Sequence, residues 1–433
     1  MNILSGAATG QDWANQIAHI QDSNSLLHVI AEFESALDDN ILRQAVLQSL
    51  QAEPVLACRF DDTQAPPCWM PIQLHKPEDW LRISSTDSAE NSIRHFIEEL
   101  PLEEGRQLLV QLIHSPTADV LCIKLDHACC DGGGAKAYLQ LLCGIYNGLY
   151  LEQIGSGGQG LEKGITSRFP ERSSKQVYEA AGIQDIRQAY KPEKDMPLPS
   201  VTIPFQEGTS GQARYTIIRV PFADLRPREE GFTINDMLLA ALTRVLAGLE
   251  HGSSDHNEDI RQTAVNLTID LRRYFPSGQQ PGVCNLSGME KLAVPIPPDE
   301  EFGQTVKRVH ETMAAVKGSS PGLHSAVSMD FLARLPYPQA QAMLLQASSR
   351  VKAAGQSAPI FSNLGWIVSD KLQFGEASAR RIYAVTPAMH APAFMLGASS
   401  YGEELTLAAS YFEQERSREA VRLLLEAIAD QLI

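Results

Sequence analysis

Apolar positions recur along the chain with two different periods, and the period decides each predicted element. Ser25 to Glu34 is apolar nearly throughout and reads as a buried strand. Leu37, Ile41, Leu42, Val46 and Leu50 then fall at helical spacing, with Asp38 and Asp39 in the first turn, which predicts a helix over 37–51. A short strand is expected over Val55 to Phe60, a helix over Arg94 to Leu100, and strands over Gln107 to His114 and Asp119 to His127. The last of these ends in a glycine-rich turn. Beyond it, Tyr138, Leu141, Leu142, Ile145 and Leu149 mark one face of an amphipathic helix over Ala135 to Leu149.

The second half repeats the mixture. A strand is expected over Ala213 to Val220, and Thr233 can cap a helix over Ile234 to Leu249. A strand over Arg261 to Ile269 runs into Asp270-Leu271-Arg272-Arg273-Tyr274. Helices follow around Glu301 to Lys317 and Pro338 to Arg350, then strands over Pro359 to Leu364, Arg380 to Val385, Ala393 to Ser400 and Leu405 to Tyr411. A helix over Glu415 to Leu432 closes the chain. Between the halves, Gly155 to Gly160 is a flexible glycine-rich stretch, and Lys191 to Pro199 is too rich in proline for a helix or a central strand. Only Lys175 to Tyr190 looks helical there. The expectation is therefore a layered α/β (α+β) chain of two lobes, 1–185 and 186–433, with 151–210 as the connecting region.

Composition narrows what such a chain can do. Its 433 residues, 44% hydrophobic and 20% charged, have an ordinary globular balance. Acidic residues outnumber basic ones, 52 to 36, and no stretch concentrates Lys and Arg, so a nucleic-acid or anionic membrane surface is a poor match. The first residues lack a basic segment followed by an apolar one, and the apolar run of Asp236 to Leu249 is cut by Arg244, so neither a signal peptide nor a membrane span is expected. Seven cysteines, odd in number and never spaced C-x-x-C, argue for a reducing cytoplasm and against a zinc site.

The densest chemistry lies in Leu125-Asp126-His127-Ala128-Cys129-Cys130-Asp131-Gly132-Gly133-Gly134, between a strand and a helix. Alternation puts Leu121, Ile123, Leu125 and His127 on one face, and an imidazole ending an apolar row is partly desolvated, which favours the neutral form a general base needs. The glycines allow close approach of a ligand and expose N–H groups at a helix start. A bland reading stands beside this one: Asp131 as an N-cap, His127 as a core histidine, the glycines as a turn.

The turn resembles the H-H-x-x-x-D-G motif of the chloramphenicol acetyltransferase-like superfamily, which includes condensation domains, polyketide-associated acyltransferases and alcohol acetyltransferases. Its surroundings are similar too: Leu26 to Phe60, Leu102 to Ile113, Phe232-Thr233-Ile234-Asn235-Asp236-Met237-Leu238-Leu239-Ala240-Ala241-Leu242, and Asn266 to Tyr274. The resemblance implies two lobes in a V with a channel between them, where a thioester donor and a nucleophilic acceptor meet. It implies His127 as general base, and Asp131 as a structural residue paired with an arginine, Arg272 in preference to Arg273. It places Gly132 and Gly133 in the turn lying against substrate. No permanent cofactor and no metal is implied. Acyl-CoA or acyl-phosphopantetheine is the substrate, a small alcohol or amine the acceptor, and a carrier protein a partner in trans.

Asp126 departs from the motif, standing where condensation domains carry their first histidine, and it is read as structural, directed towards Lys124. This tilts the expectation towards acyl transfer to an alcohol or amine. A free-standing condensation enzyme and a silent carrier- or acyl-binding module are the alternatives. Ser362 or Asn363, in Ser362-Asn363-Leu364-Gly365-Trp366, is a candidate donor to a tetrahedral oxyanion, with strand-end packing as the plainer role. His390 is read as a loop histidine, and Cys129 and Cys130 as packing residues.

Overall fold

The structure is a computed structural model that describes residues 6–72, 76–99, 101–155, 172–188, 211–249, 261–276, 281–297, 299–368, 371–414 and 417–433. In chain order they form β1 (Gly6–Ala7), α1 (Gly10–Gln21), β2 (Leu26–Phe33), α2 (Asp39–Ala52), β3 (Cys58–Asp61), β4 (Cys68–Pro71), β5 (Leu81–Ser85), α3 (Ala89–Glu98), β6 (Leu108–His114), β7 (Val120–Asp126), α4 (Gly132–Gln153) and α5 (Lys175–Ala180). There follow β8 (Ala213–Pro221), α6 (Ile234–Gly248), β9 (Arg261–Asp270), β10 (Ser287–Ile296), α7 (Phe302–Lys317), α8 (Leu323–Leu332), α9 (Tyr337–Ala354), β11 (Ile360–Trp366), β12 (Gln373–Phe374), β13 (Ala377–Val385), β14 (Met395–Tyr401), β15 (Glu404–Phe412) and α10 (Ser417–Leu432).

Two six-stranded sheets organise these elements. The first has the order β12-β13-β2-β7-β6-β5 and the second β10-β9-β11-β14-β15-β8, while β1, β4 and β3 make a small third sheet. Strand β2 is apolar almost throughout because both its faces are covered. Leu27, Val29, Ala31 and Phe33 join the core under α2 and α4, whereas Ile30 joins a smaller cluster with Phe96 of α3. The second sheet buries Val265, Leu267, Leu396, Leu405 and Leu407 against α6 and α10.

The first sheet is not built from the first half of the chain alone. After β11 the chain leaves the second sheet, and β13 pairs antiparallel with β2 (Val385 opposite His28, Ala384 opposite Val29) before β14 returns to the second sheet. This crossing ties the two sheets together and brings residues 384–386 to the space between them.

The helix starts follow local chemistry. Asp38 accepts from the Asn40 and Ile41 N–H groups, and Thr233 and Asp236 form a reciprocal capping box. Elsewhere the structure corrects the sequence reading. Pro54 opens a 3-10 turn over Pro54–Ala57, so the strand expected from Val55 begins only at Cys58. The helix expected over 175–190 stops at Ala180, because Gly182 turns left-handed (φ 73°) and its N–H and that of Ile183 fold back onto the carbonyls of Glu179 and Tyr178. Most of 151–210, including Ser156 to Gly160 and Lys191 to Pro199, lies outside the described residues. Among those described, no helix is long and apolar enough to cross a membrane.

Candidate active site

A narrow cavity of about 120 Å³ lies between the two large sheets. One wall comes from β2 (Leu27 to Val29), the end of β13 (Ala384 to Thr386) and the turn that enters α4 (His127, and Asp131 to Gly133). The other comes from β9 (Thr268 to Asp270), β10 (Ser287), β11 (Ser362 to Leu364) and β14 (Met395). The turn and the β11 segment are over two hundred residues apart in sequence, and the packing of the sheets makes them opposite walls.

His127 lies one residue beyond the last residue of β7. Its N–H donates to the Ser25 carbonyl at 2.8 Å, its ring is half-buried at the cavity wall, and Nδ1 is buried without a partner among the described residues. A second histidine borders the same space and was not singled out by the sequence. His28, on β2, is 2% exposed, and burial pushes its pKa well below the ordinary value. Enclosed so fully, His28 is poorly placed to meet an incoming nucleophile; His127 keeps part of its surface open.

Asp131 does two jobs at once. It caps α4, with Oδ1 accepting from the Gly134 N–H at 2.8 Å, and it reaches across to the second half, where Oδ2 accepts from the Leu286 N–H at 2.7 Å. Arg272 closes the pair, with Nη1 2.9 Å from Oδ1 and Nη2 donating to the Cys284 carbonyl at 2.8 Å. Burial alone raises the carboxyl's pKa, but the guanidinium and the two backbone N–H groups outweigh it and hold Asp131 below the ordinary range. Arg273 is exposed.

The glycines are explained by what surrounds them. A Cβ on Gly132 would lie 2.6 Å from Leu364 Cδ2, one on Gly133 would run into Arg272 Nη1, and one on Gly134 would lie 2.9 Å from the Cys284 carbonyl oxygen. No side chain fits where the turn passes under the second sheet.

Across the cavity, Ser362 and Asn363 differ. Thr268 donates its hydroxyl to Ser362 Oγ at 3.1 Å, which leaves the Ser362 proton available for another acceptor. Asn363 is already engaged at both ends: Nδ2 donates to Asn235 Oδ1 at 2.9 Å, and Oδ1 accepts from the Gly365 N–H at 2.8 Å, closing the bend where β11 slips register. Thr268 and Lys136 were not singled out by the sequence. Lys136 lines the same cavity and donates Nζ to the Leu364 carbonyl at 2.9 Å. No residue spacing advertises either: Thr268 acts from the strand beside β11 in the second sheet, and Lys136 reaches from α4 across the space between the sheets.

Asp126 accepts from the Ala128 N–H at 2.8 Å, and burial pushes its carboxyl above the ordinary range. The expected approach to Lys124 is not what these contacts describe: Lys124 Nζ donates to the Phe96 carbonyl at 2.5 Å, with Phe96's ring 4.9 Å away. Cys129 and Cys130 are fully buried, and burial pushes the Cys129 thiol well up. His390 stacks on Phe412 with ring centres 4.0 Å apart, away from the cavity-lining residues. Among the described residues no cluster of three His, Cys, Asp or Glu is placed to hold a metal.

No family model matches this chain, and no curated protein sequence matches it. Solved structures do. Polyketide synthase associated protein 5 from Mycobacterium tuberculosis superposes with a TM-score of 0.62 at 16% identity, over 98% of this chain and 100% of that one. Trichothecene 15-O-acetyltransferase from Fusarium sporotrichioides gives 0.66 at 11% identity, over 99% and 96%. The starter condensation domain of rhizomide synthetase, solved with C8-CoA and Leu-SNAC, gives 0.66 at 14% identity, over 99% and 94%. The chloramphenicol acetyltransferase-like fold expected from the sequence, with its two α/β lobes, is the fold of this chain.

Proposed function

We propose that this protein is an acyltransferase that moves an acyl group from a coenzyme A or carrier-protein thioester to a small alcohol or amine, with His127 as the general base. The observation that carries the reading is the position of His127, half-buried at the wall of a cavity between the sheets, at the entry to α4 and across from a hydroxyl with a proton to give. Neighbours of this fold include an acetyltransferase and a domain solved with C8-CoA, which supports the thioester class without fixing the substrate.

In this reading His127 takes the proton of the acceptor O–H or N–H as its lone pair attacks the thioester carbonyl carbon. The carbonyl π electrons move to oxygen, where the Ser362 hydroxyl donates to the oxyanion. Collapse of the tetrahedral intermediate re-forms the carbonyl and breaks the C–S bond, and the imidazolium returns its proton to the departing thiolate. Such a base contributes roughly 10²- to 10⁴-fold in rate. Asp131 and Arg272 touch neither reactant. They hold the turn.

The test is to incubate the protein with acyl-CoA esters of several chain lengths and pooled alcohols and amines, reading free coenzyme A by mass spectrometry beside a folded His127→Ala variant. Acceptor-dependent release that disappears in the variant is expected. Release that persists in the variant overturns the base assignment. Absence of turnover with these donors, and with acyl-loaded carrier protein, overturns the enzyme reading in favour of a binding module.

A further inference from the structure

Residues 127–129 form a turn outside any strand or helix, so their carbonyls enter no ladder. Side chains from three remote segments take them up instead. Asn285 Nδ2 donates to the Ala128 carbonyl at 2.8 Å and shares the His127 carbonyl, at 3.1 Å, with Asn15 Nδ2, also at 3.1 Å. Arg172 Nη2 donates to the Cys129 carbonyl at 2.8 Å.

Two of these donors, Arg172 and Asn285, converge on one carboxylate. Asp12, fully buried, accepts from Arg172 Nη2 at 2.8 Å and Asn285 Nδ2 at 3.0 Å on Oδ1, and from Trp69 Nε1 and the Thr9 N–H, both at 3.0 Å, on Oδ2. Asn15 also donates to Asn285 Oδ1 at 3.1 Å, and Arg172 Nη1 to the Val283 carbonyl at 2.7 Å. Both buried charges are thereby paired, so the cluster avoids the cost of a lone ion.

Satisfying a buried carbonyl takes one donor. The His127 carbonyl has Asn15 and a share of Asn285, whose two amide hydrogens serve three acceptors, the Ala128 and His127 carbonyls and Asp12 Oδ1. The N–H of residue 127 is held by Ser25, and the next two carbonyls are held by the same cluster. With both backbone groups of residue 127 fixed, the direction of its Cα–Cβ bond is fixed, and with it the place of the imidazole. We propose that Asp12, Asn15, Arg172 and Asn285 are positioning residues that set the backbone of the catalytic turn and through it the imidazole of His127. The proposal rests on the general-base reading for its meaning in turnover, since a displacement of about 1 Å at a reacting group can cost on the order of 10²-fold in rate.

The imidazole can be read without any substrate. Diethyl pyrocarbonate acylates neutral histidine, and peptide mass spectrometry times the reaction at His127 across about pH 5.5 to 8, where imidazole titrates. His95, exposed on α3 and outside the cavity lining, serves as the internal reference. In Asn285→Ala, at a folded fraction checked by circular dichroism, the His127 rate or its pH midpoint should move while His95 stays unchanged. Asn15→Ala should move it less and in the same direction, and this half-buried site keeps the test open if Asn285→Ala folds poorly. An unchanged His127 in the folded variants overturns the proposal, as does an equal change at His127 and His95, which reports general loosening. On an active donor–acceptor pair, kcat should fall about 10- to 100-fold in Asn285→Ala with KM little altered. Full turnover by His127→Ala would remove the base reading alone, while the reactivity result stands or falls by itself.

Discussion

Removing the charge of Asp131 while keeping its shape tests how the turn is held. Asn at 131 can still cap α4, because its side-chain oxygen accepts from Gly134 as well as a carboxylate does. What it loses is the charge facing Arg272, whose side chain is 14% exposed and 2.9 Å away, and an acceptor for the Leu286 N–H. Stranding one member of a buried pair costs about 3–5 kcal/mol. Arg272 keeps Asp270 at 3.2 Å, a half-exposed partner, and the Cys284 carbonyl, so about 3 kcal/mol is the better figure for Asp131→Asn. Asp131→Ala should lose about 1 kcal/mol more for the missing cap. The assay is urea unfolding followed by far-UV circular dichroism, run on Asp131→Asn, Arg272→Met and the double variant. The double variant should be more stable than the sum of the single losses by about 2 kcal/mol. The pH dependence has a fixed sign: Asp131 lies below its unfolded pKa, so its contribution is complete above about pH 4 and is lost as the pH falls through the folded value. The Asn variant should lack that acid-side loss. A cost under about 1 kcal/mol, or strict additivity in the double variant, would refute the reasoning.

Other outcomes follow from the same contacts. Gly134→Ala should destabilise more than Gly132→Ala in the same assay, because the new methyl meets backbone of Cys284 in the first and the end of the Leu364 side chain, which can shift, in the second. Ser362→Ala should lower kcat about 10²-fold or more with little change in KM if its hydroxyl serves the oxyanion, whereas Asn363→Ala should act mainly on thermal stability, both its polar ends being engaged within the protein. His114 works in the opposite pH sense. Burial opposes its charge, yet hydrogen bonds to Asp119 at 2.9 Å and Asp39 at 2.9 Å raise its pKa, so the stability it adds is complete below about pH 6.5 and is lost as the pH rises through the folded value. His114→Gln should flatten that part of the stability curve, and an unchanged curve would remove the assignment.

Much of the fold was legible because local patterns report burial directly. The apolar run of β2, the helical spacing of α2 and the Thr233 start of α6 each carry their own signal, and each element lies within a few residues of its expected place. Helix α1 and strand β10 went unseen for equally local reasons. Only Trp13 and Ile17 of α1 are fully buried hydrophobics of large size, too few to set a period. Strand β10 contains Pro295 and reads as a loop, a residue tolerated there because β10 is an edge strand.

The candidate site divides the same way. The turn of His127, Asp131 and the glycines could be found from sequence because its residues are consecutive and glycine is required by the close approach. Other pairings could not. Arg272 rather than Arg273 meets Asp131, Thr268 turns the Ser362 hydroxyl, and Asn285 and Asn15 hold two carbonyls of the turn, all across 94 to 158 residues of chain. Arg172 reaches the third carbonyl, that of Cys129, across 43. Periodicity tells a residue which face it occupies, but the partner on that face is chosen by how the sheets pack. The sequence by itself determined the elements and the chemical groups at one turn; the tertiary structure alone decided their partners, because hydrogen bonds and ion pairs depend on distances that only packing sets.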